Sequence, residues 1–213
     1  MTGSRSENIV PFPHRGNSVL RIRIELVMMP RPVWRLIEIP ENSTFWDLHV
    51  AIQCAMGWED RHLHVFTVDH PETGEHLFFG IPDDSGFHGS DRVLPGWEYP
   101  IKAFLKKDLP PALYTYDFGD DWQHELNLEA VGQPESDKLA PVCLAGEGAC
   151  PPEDCGGPIG YEQLLETLSD PDGDDYEDMI AWLGGPFDPD EFDPATVRFV
   201  DPNRRWKDLF DRR

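Results

Sequence analysis

With 213 residues, 39% of them hydrophobic and 11% aromatic, the chain has enough apolar surface to bury a substantial core. Its formal net charge is −22 and is concentrated in one half, since Asp117 to Asp193 holds 22 Asp or Glu against one basic residue, Lys138. Neutralising phosphates requires Lys and Arg, so direct nucleic-acid binding by that half is disfavoured. No apolar run reaches membrane-spanning length.

Residues 1–17 are polar, rich in Pro, Gly, Ser and Arg, and read as a disordered tail ahead of one α+β domain spanning 18–213. From Val19 to Met28, Leu20, Ile22, Ile24, Leu26 and Met28 alternate with Arg21, Arg23 and Glu25, the period of a half-buried strand. Pro30 and Pro32 break it, and Val33 to Ile39 predicts the second arm of a hairpin. Thr44, with Asp47 three residues on, predicts a capped helix that carries Phe45, Leu48, Ile52 and Ala55 and stops at Gly57. Strands are expected at 62–68 and 76–79. Residues 80–100 read as a long loop, longer than the roughly 12–15 residues beyond which loops tend to be functional.

Further on, 101–106 predicts a short helical turn. Residues 112–118 and 122–131 predict a second hairpin through Gly119, Asp120 and Asp121. Leu164, Leu165 and Leu168 mark one helix, and Tyr176, Met179, Ile180 and Leu183 another, ended by Gly184 and Gly185. A last strand is expected at 196–200 and a terminal turn at 206–210. The sum is a mixed or antiparallel sheet with a β-grasp-like N-terminal half and a helical, acidic C-terminal part.

Chemistry-bearing residues cluster in Tyr-Asp-Phe-Gly-Asp-Asp-Trp-Gln-His (116–124) and Cys-Pro-Pro-Glu-Asp-Cys-Gly-Gly (150–157). Their mixture of carboxylates, imidazole, thiols, Gly and Pro exceeds what packing needs. Their density predicts that Asp117, Trp122, His124, Glu153 and Asp154 surround one concavity.

These runs, extended to 114–124 and 150–161, resemble the pRiA4b plasmid open-reading-frame-three-like family, as do Phe-Asp-Pro-Asp-Glu-Phe-Asp (187–193) and the early Trp-Arg and His-Leu-His-Val-Phe elements. The resemblance spans residues 18–210. It implies a protein of plasmids, bacterial and archaeal chromosomes and mobile elements, and it brings no catalytic residues to carry over. Some members bear resolvase-like labels, but this chain offers no nucleophilic Ser in a basic setting.

Three chemistries fit the two motifs. The first is a metal site, with zinc on His124, Cys143, Cys150 and Cys155, since thiolates and imidazole are its usual ligands. The six- and four-residue gaps between these thiols are wider than the usual paired spacing. Another divalent cation on Asp117, Asp120, Asp121, Glu153 and Asp154 is the oxygen-ligand version. Otherwise the thiols are small buried hydrophobes and the acids form turns and caps. The second is catalysis, with His124 as general base oriented by Asp117, as in a metal-dependent hydrolase; a hydrogen-bonded structural His is the plain alternative.

The third is a partner-binding or ligand-binding module that presents Tyr116, Asp117, Asp120, Asp121, Trp122, His124, Glu153 and Asp154 to a basic protein or cationic ligand. This last reading needs the fewest special assumptions. Four cysteines, three of them crowded into 143–155, place the chain in a reducing, cytoplasmic compartment. His62 and His64 read as packing residues on one strand face.

Overall fold

The computed structural model describes residues 18–82, 92–134 and 140–210. The expected tail, residues 1–17, and part of the expected loop, 83–91, lie outside the described residues. The alternating segments form β1 (Val19–Leu26) and β2 (Trp34–Pro40), paired antiparallel with Val19 opposite Pro40. Their apolar faces supply Ile22, Ile24, Ile37 and Ile39, all fully buried, each worth about 1.5–3 kcal/mol relative to exposure. The outer face is polar: the Arg21 guanidinium pairs with Glu38 at 3.1 Å, and Arg23 lies 3.9 Å over the Trp34 ring.

Helix α1 (Phe45–Met56) starts with the capping box that Thr44 and Asp47 predict, and it ends at Gly57 in a left-handed conformation. Phe45, Leu48 and Ile52 are fully buried. After α1 come β3 (His64–Asp69), β4 (His76–Gly80) and β5 (Val93–Pro95), then the hairpin β6 (Ala112–Tyr116) and β7 (Trp122–Gly132). Strand β8 (Val142–Glu147) follows, then α2 (Gly157–Ser169), α3 (Tyr176–Leu183) and α4 (Pro202–Phe210).

The strands form one mixed sheet in the order β5-β4-β3-β6-β7-β1-β2-β8, with β4 and β5 parallel and the other pairs antiparallel. The β6–β7 hairpin therefore lies between the two N-terminal strand pairs, and its open turn falls beside the chain entering β3. Helix α4 packs against α1, with Trp206 edge-on to Trp46 at 5.4 Å. Among the described residues no helix is long and apolar enough to cross a membrane.

Several boundaries differ from the sequence expectations. Residues 142–147 form a strand where none is expected, on the outer edge of β2 with a register shift at Leu36/Ile37. The expected strand at 196–200 is absent. The Asp193 carboxylate instead caps Ala195 and holds Pro194–Thr196 in a 3-10 turn. The terminal turn is a helix, α4, and β3 begins at His64 rather than His62.

Candidate functional site

The turn between β6 and β7 is built on Asp117. Its backbone is left-handed, with φ 56°, and its amide donates to the Leu63 carbonyl at 2.9 Å. Asp tolerates this conformation because its short carboxylate can bond nearby amides. Here Asp117 Oδ1 accepts from Gly119 at 2.9 Å and Asp120 at 3.4 Å. With Oδ1 pinned, Oδ2 lies 3.5 Å from Nε2 of His62.

The 148–157 loop docks onto this turn. Trp58 Nε1 donates to the Pro151 carbonyl at 2.9 Å, and the Glu59 amide donates to Glu153 Oε2 at 3.0 Å. The Tyr116 hydroxyl donates to Glu153 Oε1 and accepts from the Arg61 amide at 2.9 Å. The Asp120 carboxylate accepts from the Gly156 amide at 3.1 Å. Gly157 touches the same turn so closely that a Cβ there would sit 2.3 Å from the Asp120 carbonyl oxygen.

These contacts bring Asp154, itself left-handed with φ 61°, to His62. Its Oδ1 lies 2.9 Å from His62 Nε2. Among the described residues, His62, Asp117 and Asp154 are the set of three His, Cys, Asp or Glu that could hold a metal ion, with ligand atoms within 4.8 Å of one another. One nitrogen and two carboxylates suit a borderline divalent ion such as Zn2+ or Mn2+, with the remaining positions open to water or substrate. Next to this set, a cleft of about 480 Å3 is lined by Trp58, Arg61, Glu153, Asp154, Trp182 and Phe187, among others.

The candidate residues thus divide. Tyr116, Asp117, Glu153 and Asp154 meet at the junction, and Asp120 caps Gly156 beside it. Asp121 turns away, accepting from Gln123 Nε2 at 2.9 Å. The five carboxylates therefore do not converge as an oxygen-only cation site, because hydrogen bonds to the protein divide them. Trp122 and His124 share the core face of β7 and are 1% and 0% exposed. His124 Nδ1 donates to the Tyr114 carbonyl at 3.2 Å, and burial depresses its pKa to about 4. A sequestered imidazole of that kind does not serve as a general base for bound substrate, and the carboxylate of Asp117 faces His62 instead.

The thiol set also divides. Cys143 sits on β8, three strands from the β7 that carries His124, about 14 Å away at the usual strand spacing. No single ion bridges that gap. Burial pushes the Cys155 thiol up to about 12 and raises those of Cys143 and Cys150, with Arg35 opposing the rise at both of these. The thiolate, not the thiol, is the metal ligand.

Sequence reasoning set His62 aside as packing and did not select Trp58 or Arg61. The signal for His62 is its place two residues before β3, where the chain enters the sheet. Deeper in the core, His49 and His64 stack at 3.5 Å. His49 hydrogen-bonds the Tyr114 hydroxyl at 2.9 Å and Asp60 at 3.0 Å, and Arg205 of α4 pairs with Asp60 at 2.8 Å. This network is enclosed and ties α4 to the core.

The plasmid pRiA4b ORF-3-like protein profile matches residues 18–196. The chain belongs to the plasmid pRiA4b ORF-3-like family. The matched span contains His62, Asp117 and Asp154. Uncharacterized protein y4hQ of Sinorhizobium fredii is 30% identical over 192 residues, 90% of this chain and 92% of that protein. The crystal structure of the protein of unknown function MM3350 from Methanosarcina mazei Go1 is similar with 40% identity and a TM-score of 0.79, over 85% of this chain and 97% of that one. The fold is thus shared with a protein of Methanosarcina mazei.

Proposed function

We propose that this ORF-3-like protein is a ligand-binding module whose ligand is a divalent transition-metal ion held by His62, Asp117 and Asp154. The observation that carries the reading is the convergence of an imidazole nitrogen and two carboxylates, drawn from three separate segments, within 4.8 Å of one another. Each ligand is set by its own local structure: Asp117 by its turn, Asp154 by the docked loop, and His62 by the Tyr116 hydroxyl, which accepts from its amide at 3.4 Å. Preorganisation of this kind lowers the cost of ordering ligands around an ion.

Binding is favoured over hydrolysis because, among the described residues, the candidate bases Glu153 and His124 are both engaged or buried. Both oxygens of Glu153 are engaged by Tyr116 and the Glu59 amide, and His124 is sealed in the core. Duplex DNA is disfavoured as a ligand. Besides the acidic surplus, Arg21, Arg23 and Arg31 pair with Glu38, Glu25 and Asp190, and Arg35 is 1% exposed, which leaves these arginines poorly placed to neutralise phosphates.

Calorimetric titration of metal-stripped protein with ZnCl2 and MnCl2 tests the proposal. One site per chain is expected, weakened about tenfold or more by His62→Ala or Asp154→Asn, on the scale that ligand-shell losses produce. Absence of binding, or an unchanged affinity in His62→Ala, would reject it.

A further inference from the structure

From Gly157 to Leu183 the chain carries eight Asp or Glu and no Lys or Arg. This stretch is the α2–α3 hairpin, and α3 has no buried residue. Trp182, on its last turn, is 52% exposed, although Trp normally contributes a large buried area. Asp175, Asp178 and Trp182 follow one another at i, i+3 and i+7, so they lie along one face of α3. That face borders a cleft of about 510 Å3 between α2 and α3, whose walls add Leu164, Thr167 and Met179 and include no Lys, Arg or His.

We propose that this cleft docks a basic protein segment, with a Lys or Arg side chain laid on the Trp182 ring and its charge beside Asp175 and Asp178. An aromatic face attracts a guanidinium or ammonium group, while Leu164 and Met179 offer apolar contact to its methylene stem. The occupant is a protein segment rather than a small cation because the charge extends beyond the cleft. Glu162, Glu166, Asp170, Asp172, Asp174 and Glu177 lie along the same hairpin, a field that complements an extended basic chain and speeds its encounter. Asp154, one of the three proposed metal ligands, also lines the cleft, but the anchors Asp175, Asp178 and Trp182 are not among the ligands.

The test is fluorescence anisotropy with a labelled nona-arginine peptide at physiological salt. Trp182→Ala is expected to weaken binding about tenfold and Trp182→Phe about threefold, following the order of ring strengths toward cations. Asp175→Asn with Asp178→Asn is expected to weaken binding more than Asp170→Asn with Asp172→Asn, which removes the same charge from the same hairpin outside the cleft. Equal losses from the two aspartate pairs would show general electrostatics and overturn the site. An unchanged affinity in folded Trp182→Ala would do the same. If that variant does not fold, the comparison of aspartate pairs decides alone. A Trp182-dependent dimer in sedimentation would assign the cleft to a second copy and overturn a foreign partner.

Discussion

Tyr116 donates its hydroxyl hydrogen bond to Glu153, 37 residues further along the chain, and thereby joins the end of β6 to the loop that presents Asp154. The same hydroxyl oxygen accepts from the backbone amides of Arg61 and His62. One phenol therefore organises all three segments of the proposed site.

Tyr116→Phe removes that node and leaves the half-buried Glu153 carboxylate with one partner fewer. A loss of about 1–3 kcal/mol in folding stability is expected, together with weaker Zn2+ binding, because the loop carrying Asp154 is less firmly held. Urea unfolding and calorimetry on the same variant check the two effects. Loss of stability with unchanged metal affinity would uncouple the phenol from the site.

Gly157 and Gly160 fix the seat of the second motif. A Cβ at Gly160 would lie 1.9 Å from the Cys155 carbonyl oxygen, and Gly157 is left-handed with φ 69° against the Asp120 backbone. Neither neighbour is a flexible side chain, so Gly157→Ala is expected to destabilise by about 2–4 kcal/mol through backbone strain and displacement. Thermal unfolding measures it, and an unchanged melting temperature would refute the close docking.

His124 sets an acid limb in stability. Its folded pKa is about 4, below the ordinary value of about 6.5, so as pH falls the unfolded chain takes up this proton first. The stabilising contribution is complete above about pH 6.5 and is lost progressively toward pH 4, at up to about 1.4 kcal/mol per pH unit. Urea midpoints at pH 5 and pH 7 should differ less in His124→Asn than in the natural chain, since Asn does not titrate. Parallel pH dependences would contradict the buried neutral imidazole.

All four thiols are raised by burial: Cys54, Cys143, Cys150 and Cys155. Slow reaction of the native protein with a disulfide reagent near neutral pH is expected, with four equivalents titrating after denaturation. Rapid native labelling at any of them would refute it.

Legibility in the sequence followed the range of the interaction. Helix α1 was readable because Thr44, Asp47 and Gly57 are local signals, and β1 because its alternation is intact over eight residues. Strand β8 was not, since Val142–Glu147 ends in Ala-Gly-Glu and gains its form from pairing with β2. The pairing of His62 with Asp154 spans 92 residues, and no periodicity encodes it. His124 misled because its residue type suggested chemistry, while its parity with Trp122 and Leu126 placed it on the core face. Arg35 falls by the same parity among Val33, Ile37 and Ile39, where it is buried and donates to the Ala55 carbonyl at 2.9 Å.

A crystal of the protein soaked in Zn2+ and measured at the metal absorption edge tests the metal site directly. An anomalous peak is expected at about 2.0–2.2 Å from His62 Nε2 and from carboxylate oxygens of Asp117 and Asp154. A peak at Cys143, Cys150 or Cys155, or none at His62, would contradict it.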